Sequence, residues 1–228
     1  MSIAEHTTEL RPGQRLTRTE FLRRWESRPD VKFAELIDGV VYMPSPQTTD
    51  HGTREFDING LLWTYVAHTP GCEGGNQSTW LMLQSAPQPD AYLWISPQCG
   101  GQSGIRGQYH TGAPELISET CFSSADYDLG VKKRLYETAG VQEYVAVIIE
   151  DEDIRWHCLV KGAYQLRQPT SKGVFRSEVF PGLWVDERAL WKRDAAGLLA
   201  TLERGLKSPE HRAFVKALAA RKAQPKRQ

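Results

Sequence analysis

Paired cysteines are absent from this 228-residue sequence. Its four cysteines lie far apart and form no Cys-x-x-Cys motif, which argues against a zinc site and against a disulfide framework; they are Cys72, Cys99, Cys121 and Cys158. We therefore expect reduced thiols and a cytoplasmic location.

Long hydrophobic runs are also missing. No stretch approaches the roughly 18 apolar residues of a membrane-spanning helix. The first 14 residues are polar and contain no apolar core of signal-peptide length. The sequence therefore predicts a soluble protein that is not secreted and has no membrane partner.

A net charge is the third absence. Twenty-eight basic residues balance 28 acidic ones, so no overall positive field indicates a nucleic-acid partner. The glycine-rich segment 100–104 lacks the lysine of a phosphate-binding loop and does not predict nucleotide binding.

Length and apolar content favour one large domain at 17–206, after a flexible N-terminus at 1–16 and before a basic helix or tail at 207–228.

Local patterns in the first half predict both helices and strands. Thr17 and Glu20 form a capping-box pattern that opens a short helix, and Asp38-Gly39 between apolar runs predicts a β-hairpin that carries Glu35. Apolar spacing and turn residues then predict a helix over 51–67, strands over 79–84 and 90–95, and a long loop over 96–113.

The second half alternates strands and helices. We predict a strand over 116–120, a helix over 126–138, a strand over 143–150, a hairpin from 154–160 into 164–167, a strand over 174–180 and a helical C-terminal part. A strand, a helix and a strand in succession predict a crossover between parallel strands.

Two carboxylates lie where neighbouring strands would bring them together. Asp90 starts one predicted strand, and Glu119 lies within an apolar one. Two half-buried carboxylates repel each other unless a cation lies between them, and Mg²⁺ binds through one or two carboxylates while it keeps several waters. If the strands are adjacent, the pair predicts a metal site suited to phosphodiester cleavage.

A lysine follows on the next predicted helix. Asp128, Lys132 and Tyr136 recur every four residues on one helix face, so Lys132 can extend over the carboxylates and stabilise charge that develops on phosphorus. The alternative is that Lys132 pairs with Asp128 on an exposed helix and that Glu35 is a solvated strand residue. His51, at a helix start, is left outside the predicted catalytic set.

Several motifs occur in a recognisable order: Glu35-Leu-Ile-Asp-Gly39, His51, Pro89-Asp90, Pro114-Glu-Leu-Ile-Ser-Glu119, Asp128-Leu-Gly-Val-Lys132 with Tyr136, and Ala139-Gly-Val-Gln-Glu-Tyr144. Together they resemble the Uma-type putative restriction endonuclease family, over residues 17 to about 191. That family belongs to the PD-(D/E)XK nuclease superfamily. The resemblance implies an α/β fold, with a restriction-endonuclease-like core of a mixed sheet, flanking helices and an added β-hairpin.

The resemblance also implies roles for individual residues. Asp90 and Glu119 would be metal ligands, Glu35 an additional acidic residue of the site, and Lys132 the catalytic lysine. Most of the superfamily has its lysine two residues after the glutamate, where this chain has Cys121, so the lysine of the following helix would serve instead. The implied activity is endonuclease cleavage of DNA by a homodimer, with Mg²⁺, or else Mn²⁺, as cofactor.

Two other functions stay open at this point. Residues 120–124 differ from the usual sequence of the family, which favours a catalytically inactive nuclease-fold module that binds nucleic acid or a protein partner. A metal-dependent hydrolase of a smaller phosphate ester would use the same carboxylates and the same lysine.

Overall fold

The computed structural model describes residues 8–44, 46–121 and 127–223. The first part of the chain forms α1 (Arg18–Glu26), β1 (Glu35–Ile37), β2 (Val40–Tyr42), α2 (Thr49–Ala67), β3 (Cys72–Gly75), β4 (Trp80–Leu81), β5 (Ala91–Ile95), a 3₁₀ turn (Pro97–Cys99), β6 (Gly104–Arg106) and β7 (Tyr109–Thr111). The second part forms β8 (Leu116–Cys121), a π-helical turn (Tyr127–Lys132), α3 (Lys133–Ala139), β9 (Glu143–Ile148), β10 (Asp153–Val160), β11 (Ala163–Arg167), β12 (Val174–Arg176), β13 (Trp184–Asp186), α4 (Glu187–Trp191), α5 (Ala195–Leu206) and α6 (Pro209–Lys222).

A mixed sheet forms the centre of the fold. Its described strands lie in the order β11-β10-β9-β8-β5-β3. Strands β8 and β9 pair in parallel, whereas the other neighbours pair antiparallel. The connection from β8 to β9 contains the π-helical turn and α3, so the predicted strand–helix–strand crossover is confirmed. The hairpin of β10 and β11 extends the sheet beyond β9.

Alternate side chains of the central strands face two separate hydrophobic cores. On one side, Leu93 and Leu116 belong to a core that includes residues of α2, α5 and α6. On the other side, Ile117 packs in a second core with Tyr136 of α3. A residue two positions along a strand from Ile117 therefore faces α3.

The N-terminal hairpin follows from its turn sequence. Asp38 and Gly39 have φ angles of 49° and 77°, which the Asp-Gly pair adopts with little strain. The turn pairs Glu35 with Tyr42 and Ile37 with Val40. The predicted hairpin is confirmed, and its first strand carries Glu35 into the protein.

Two predicted strands are shorter than expected. The strand over 79–84 was wrong in extent: β4 contains two residues and pairs in parallel with β7, because Leu83 turns the chain with a φ of 51°. The strand over 174–180 ends at residue 176, since Ser177 Oγ accepts a hydrogen bond from the Phe180 N–H at 2.7 Å and closes a turn.

The sequence predicted a long loop over 96–113, but the structure shows regular elements within this segment. It contains the 3₁₀ turn and the antiparallel hairpin of β6 and β7. These strands are three residues long, so they carry too few side chains for an alternating pattern to be recognised.

Described residues towards each end of the chain contribute to the packing. Leu10 is 7 % exposed and Leu218 of α6 is fully buried, and α6 lies against the 3₁₀ turn. The division into a flexible N-terminus, a core domain and a basic C-terminal segment stays a prediction. Among the helices that the structure describes, none combines the length and the apolar composition needed to span a bilayer.

Candidate active site

Lys132 lies between two buried carboxylates. It ends the π-helical turn, and its Nζ is 3.1 Å from Glu119 Oε1 and 3.3 Å from Glu35 Oε1. Asp128, one turn earlier, is 3.8 Å away. Because Lys132 is 5 % exposed, it is not the surface partner of Asp128 that the alternative interpretation required.

The Glu119 carboxylate is bonded differently at its two oxygens. Strand β8 places it on the face of the sheet that packs against α3. Oε1 accepts hydrogen bonds from Tyr136 Oη at 2.6 Å and from Lys132 Nζ. Oε2 accepts a long hydrogen bond of 3.4 Å from the Asp90 N–H. Since a carboxylate oxygen can accept two hydrogen bonds, Oε2 has capacity for a further ligand.

Asp90 lies beside Glu119 because their strands pair. Strands β5 and β8 are antiparallel neighbours, with Ala91 opposite Ser118. Asp90 Oδ2 accepts a hydrogen bond of 2.8 Å from the Thr120 N–H. The structure thus brings together the two carboxylates that the sequence singled out, while their role as metal ligands stays a prediction.

Glu35 reaches the same cluster from the N-terminal hairpin. Its Oε1 accepts a hydrogen bond of 2.7 Å from the Gln88 N–H, and its Oε2 accepts one of 3.3 Å from Tyr127 Oη. Glu35 is 6 % exposed. These contacts rule out the alternative in which it is a solvated strand residue.

Burial determines the protonation preferences of the cluster. It raises the pKa of Asp90 to about 6, against the opposing charge of Lys132, and it raises the pKa of Glu119 well above the usual range. Burial opposes the charge of Lys132, but the carboxylates of Glu119 and Glu35 raise the pKa of this lysine well above its usual value. The lysine therefore stays charged, whereas the fold disfavours ionised carboxylates that have no cation beside them.

The donor set suits a hard divalent cation. One lysine faces several carboxylates, namely Glu35, Asp90, Glu119 and Asp128. Mg²⁺ binds through oxygen and needs one or two protein carboxylates besides its waters. In the described part of the chain, no three His, Cys, Asp or Glu side chains already form a metal-binding group. Asp90 and Glu119 lie beside each other and offer two carboxylates, which fits such an ion.

His51 and Glu55 adjoin the cluster beside Asp90, although the sequence analysis left His51 out of the catalytic set and did not consider Glu55. His51 Nε2 is 3.7 Å from Asp90 Oδ2, and His51 Nδ1 is 3.7 Å from Glu55 Oε2. Glu55 is 7 % exposed and accepts a hydrogen bond of 3.1 Å from Gln77 Nε2. The sequence signal for this pair is its four-residue spacing, which places both side chains on one face of α2.

A cavity of about 460 Å³ opens over the cluster. Its lining includes Glu35, His51, Asp90, Glu119, Asp128 and Lys132. A cavity of this size can admit a ligand, and the charged groups converge on a shared space. Residues 122–124 of the segment that differs from the family's usual sequence lie outside the described residues.

A mixed sheet with carboxylates on two neighbouring strands and a buried lysine on the next helical element defines a nuclease-like α/β protein. The chain belongs to the Uma2 family, which is described as "Putative restriction endonuclease" and matches residues 19–190. The predicted family and fold class are thereby confirmed.

The fold is also similar to a solved structure. That structure is a crystal structure of a putative nuclease belonging to DUF820 from Anabaena variabilis, with a TM-score of 0.62 and 13 % sequence identity. The similarity covers 78 % of this chain and 98 % of the other. No curated protein has a significant sequence match to this chain.

Proposed function

We propose that this protein is a divalent-metal-dependent endonuclease that hydrolyses phosphodiester bonds in DNA. The observation that carries the proposal is the position of Lys132 between Glu119 and Glu35, in one cavity with Asp90. Membership of a restriction endonuclease family supports a nucleic acid as substrate. The nuclease-like fold supports hydrolysis as the reaction.

Asp90 and Glu119 would hold the cation, Mg²⁺ or Mn²⁺. When bound, the ion would supply positive charge to the phosphoryl oxygens and to the leaving group. Tyr136 holds the Glu119 carboxylate through Oε1, which leaves Oε2 for the ion. The Thr120 N–H holds Asp90 through Oδ2 in the same way.

Lys132 supplies a fixed positive charge that does not depend on the ion. Because its pKa is raised, Nζ is protonated at neutral pH and acts as a donor, not as a base. A donor placed in advance at a developing negative charge stabilises the transition state. Glu35, held by the Gln88 N–H, orients Lys132 Nζ and helps to keep it charged.

Plasmid nicking tests the proposal. We expect purified protein to nick supercoiled DNA in Mg²⁺ or Mn²⁺ and to stop in EDTA. Asp90→Asn, Glu119→Gln and Lys132→Met should each lower the rate by a factor on the order of 100 or more. Lys133→Met is the matched control, because Lys133 is the next residue of the chain and lies outside the cavity lining.

A binding module that retains the nuclease fold is the second candidate. The balance of 28 basic and 28 acidic residues favours it, because DNA-cleaving proteins commonly present a positive surface to the phosphates. If folded protein binds Mn²⁺ but does not nick DNA with either ion, the endonuclease proposal is wrong and this candidate replaces it.

A further inference from the structure

A second cavity, the side cavity, adjoins the candidate active site. Its volume is about 440 Å³, and it shares Glu35, Asp90 and Lys132 with the cavity over the carboxylate cluster. Small-ligand sites have volumes of about 300–1,000 Å³, so the side cavity has the size of such a site. A group that enters it lies next to the residues that would act on a phosphodiester.

Three glutamine side chains, Gln47, Gln77 and Gln88, line the side cavity. They come from separate segments of the chain, before α2, between β3 and β4, and before β5. A primary amide carries an acceptor oxygen and two donor N–H groups. Amides therefore complement a neutral group that offers a donor and an acceptor side by side, as the edge of a nucleobase does.

Glu55 fixes the orientation of two of these amides. It is 7 % exposed and lies outside the cavity lining. Its Oε1 accepts a hydrogen bond from Gln77 Nε2 at 3.1 Å, and its Oε2 accepts one from Gln47 Nε2 at 3.3 Å. A carboxylate accepts hydrogen bonds and does not donate them, so the nitrogen of each amide faces Glu55.

The other ends of these two amides are available to a ligand. Within the described part of the chain, neither Gln47 Oε1 nor Gln77 Oε1 accepts a hydrogen bond. Each nitrogen also retains a second N–H. Gln88 donates through Nε2 to Thr79 Oγ1 at 3.3 Å, so its carbonyl oxygen is a third acceptor at this cavity.

Gln77 is held in a strained conformation beside Asp90. Its φ is 48°, in the left-handed region where residues with a side chain are uncommon. Its N–H donates a hydrogen bond of 2.8 Å to the carbonyl oxygen of Pro89, the residue before Asp90. Strain of this kind persists only where the surroundings hold it, and it is common at ligand sites. The fold thus keeps one amide in place next to the carboxylate cluster.

Adenine is the base that a fixed glutamine amide fits best. The amide oxygen accepts from the adenine N6 amino group, and the amide nitrogen donates to N7. Guanine presents two acceptors at the same edge and is usually bound by Arg or Lys, whereas Lys132 of this cavity is already paired with Glu119 and Glu35. At that edge thymine lacks an amino donor, and cytosine lacks the neighbouring acceptor.

Phe33 adds an aromatic surface to the side cavity. It is 50 % exposed and belongs to the lining, together with Pro44 and Pro46. An exposed aromatic ring stacks on any base, because every base has a π face. Phe33 therefore contributes affinity for bases in general, while the amides contribute selectivity.

We propose that the side cavity binds a nucleobase of the substrate next to the cleaved phosphodiester and selects adenine through the amide of Gln77. Gln47 lies beside Gln77 as a second acceptor, Phe33 stacks on the base, and Glu55 is a positioning residue that orients the amides. The proposal rests on the proposed nuclease function for the class of substrate, and it adds the base that the enzyme prefers beside the cut.

Sequencing of the ends produced in nicked plasmid shows which base lies beside each cut. We expect adenine at one position next to the cut. A synthetic DNA of that sequence in which purine replaces this adenine lacks only the N6 amino group. Its cleavage by the wild type should be slower by a factor of about 5–150, which is the discrimination of one bidentate pair.

The ratio of the rates on the adenine and purine substrates separates the roles of the residues. Gln77→Met should bring the ratio close to 1. Glu55→Gln should also lower it, because an amide at residue 55 can donate and so allows Gln77 to turn over. Phe33→Leu should slow both substrates alike. Gln84→Met is the matched control: Gln84 is an exposed glutamine outside the cavity lining, and this variant should keep the ratio of the wild type.

Binding in EDTA tests the base site without cleavage. The probes are short fluorescent oligothymidylates that carry one adenine or one purine, and the readout is fluorescence anisotropy. The wild type should bind the adenine probe more tightly, and Gln77→Met should bind both probes equally. Circular dichroism of each variant shows that a lost preference is not a loss of folding.

Three results would overturn the proposal. They are cleavage and binding that show no base preference, a preference for adenine that survives in Gln77→Met, and a preference for another base. Cleavage without base preference would remove the base site and leave the nuclease function. Selective binding of the adenine probe by a protein that does not cleave DNA would keep the base site and remove the nuclease function.

Discussion

The side-chain carboxylates of Asp90 and Glu119 each accept a hydrogen bond from a backbone N–H of the neighbouring chain segment. The Asp90 N–H donates to Glu119 Oε2 at 3.4 Å, and the N–H of Thr120, next to Glu119, donates to Asp90 Oδ2 at 2.8 Å. This reciprocal arrangement depends on the register of β5 against β8. A shift of one residue in either strand would turn one carboxylate to the opposite face of the sheet.

Removal of the lysine charge should destabilise the fold. Lys132→Met leaves Glu119 and Glu35 buried without their cation, and breaking a buried ion pair typically costs about 3–5 kcal/mol. We expect a loss of this order in the free energy of unfolding, measured by urea denaturation in EDTA.

The double variant Glu119→Gln with Lys132→Met provides the control for that prediction. Because the second substitution removes the uncompensated charge, the double variant should recover part of the lost stability. If the two losses simply add, Lys132 and Glu119 are not energetically coupled, and the ion pair does not explain the cost.

Divalent metal should stabilise the protein through the carboxylate pair. A ligand that binds the folded state alone adds about 2.7 kcal/mol at a hundredfold excess over its dissociation constant. We expect the melting temperature of the wild type to rise with Mn²⁺ concentration, and Asp90→Asn to abolish most of that rise.

Asp151→Asn is the matched control for the metal experiment. The Asp151 side chain is 63 % exposed and pairs with Arg155 at the surface, outside the cavity lining. This variant should respond to Mn²⁺ like the wild type. An undiminished response in Asp90→Asn would place the ion elsewhere on the protein.

Acid should weaken the contact between α6 and the segment that follows α2. His211 is 5 % exposed; its Nε2 lies 3.0 Å from Thr69 Oγ1, and its Nδ1 lies 2.9 Å from the carbonyl oxygen of Leu206. Burial lowers the pKa of His211 below 6.5. In the unfolded chain the His211 imidazole therefore binds a proton more tightly than in the folded protein. The contribution of His211 to the free energy of unfolding is present above pH 6.5 and is lost as the pH falls below that value.

The measurement is the free energy of unfolding in urea between about pH 5 and pH 8, for the wild type and for His211→Gln. The difference between the two proteins should shrink as the pH falls, because the protonated histidine loses its advantage over glutamine. A difference that is constant with pH would show that His211 does not titrate on unfolding.

Glu143 should be a structural residue, although it is a buried acid. Its carboxylate accepts hydrogen bonds from Ser177 Oγ at 2.5 Å and from the Glu178 N–H at 2.7 Å. Because Glu143 begins β9, these bonds connect β9 to the turn that follows β12. Glu143→Ala leaves these donors unpaired, and each buried unpaired group costs about 1–3 kcal/mol.

We expect Glu143→Ala to lower the free energy of unfolding by several times the effect of Glu150→Ala, a carboxylate in the exposed turn after β9. The rate of plasmid nicking by folded protein should not change, because Glu143 is outside the cavity lining. A large loss of activity at unchanged stability would contradict this assignment.

Much of the fold was predictable from local sequence. The Asp38-Gly39 turn, the Thr17 cap, whose Oγ1 accepts from the Glu20 N–H at 3.2 Å, and the apolar pattern of α2 depend on residues close together in the chain. The short strands β6 and β7 and the short extent of β4 were not predictable, since three residues or fewer give no usable period and their stability comes from partners distant in sequence.

The sequence by itself determined which chemical groups this protein can use: Asp90 and Glu119 on strands, Lys132 on the next helical element and Glu35 on a hairpin. Periodicity assigns each side chain to a face of its own element. It carries no information about distances between elements.

Tertiary structure alone decided that these groups meet. The pairing of β5 with β8 joined two carboxylates 29 residues apart, and packing against α2 added His51 and Glu55. The same packing left Phe56 and Trp63 in water, because a helix that presents one face to the core must expose the other. Long-range contacts of this kind depend on the whole chain, so no local pattern specifies them.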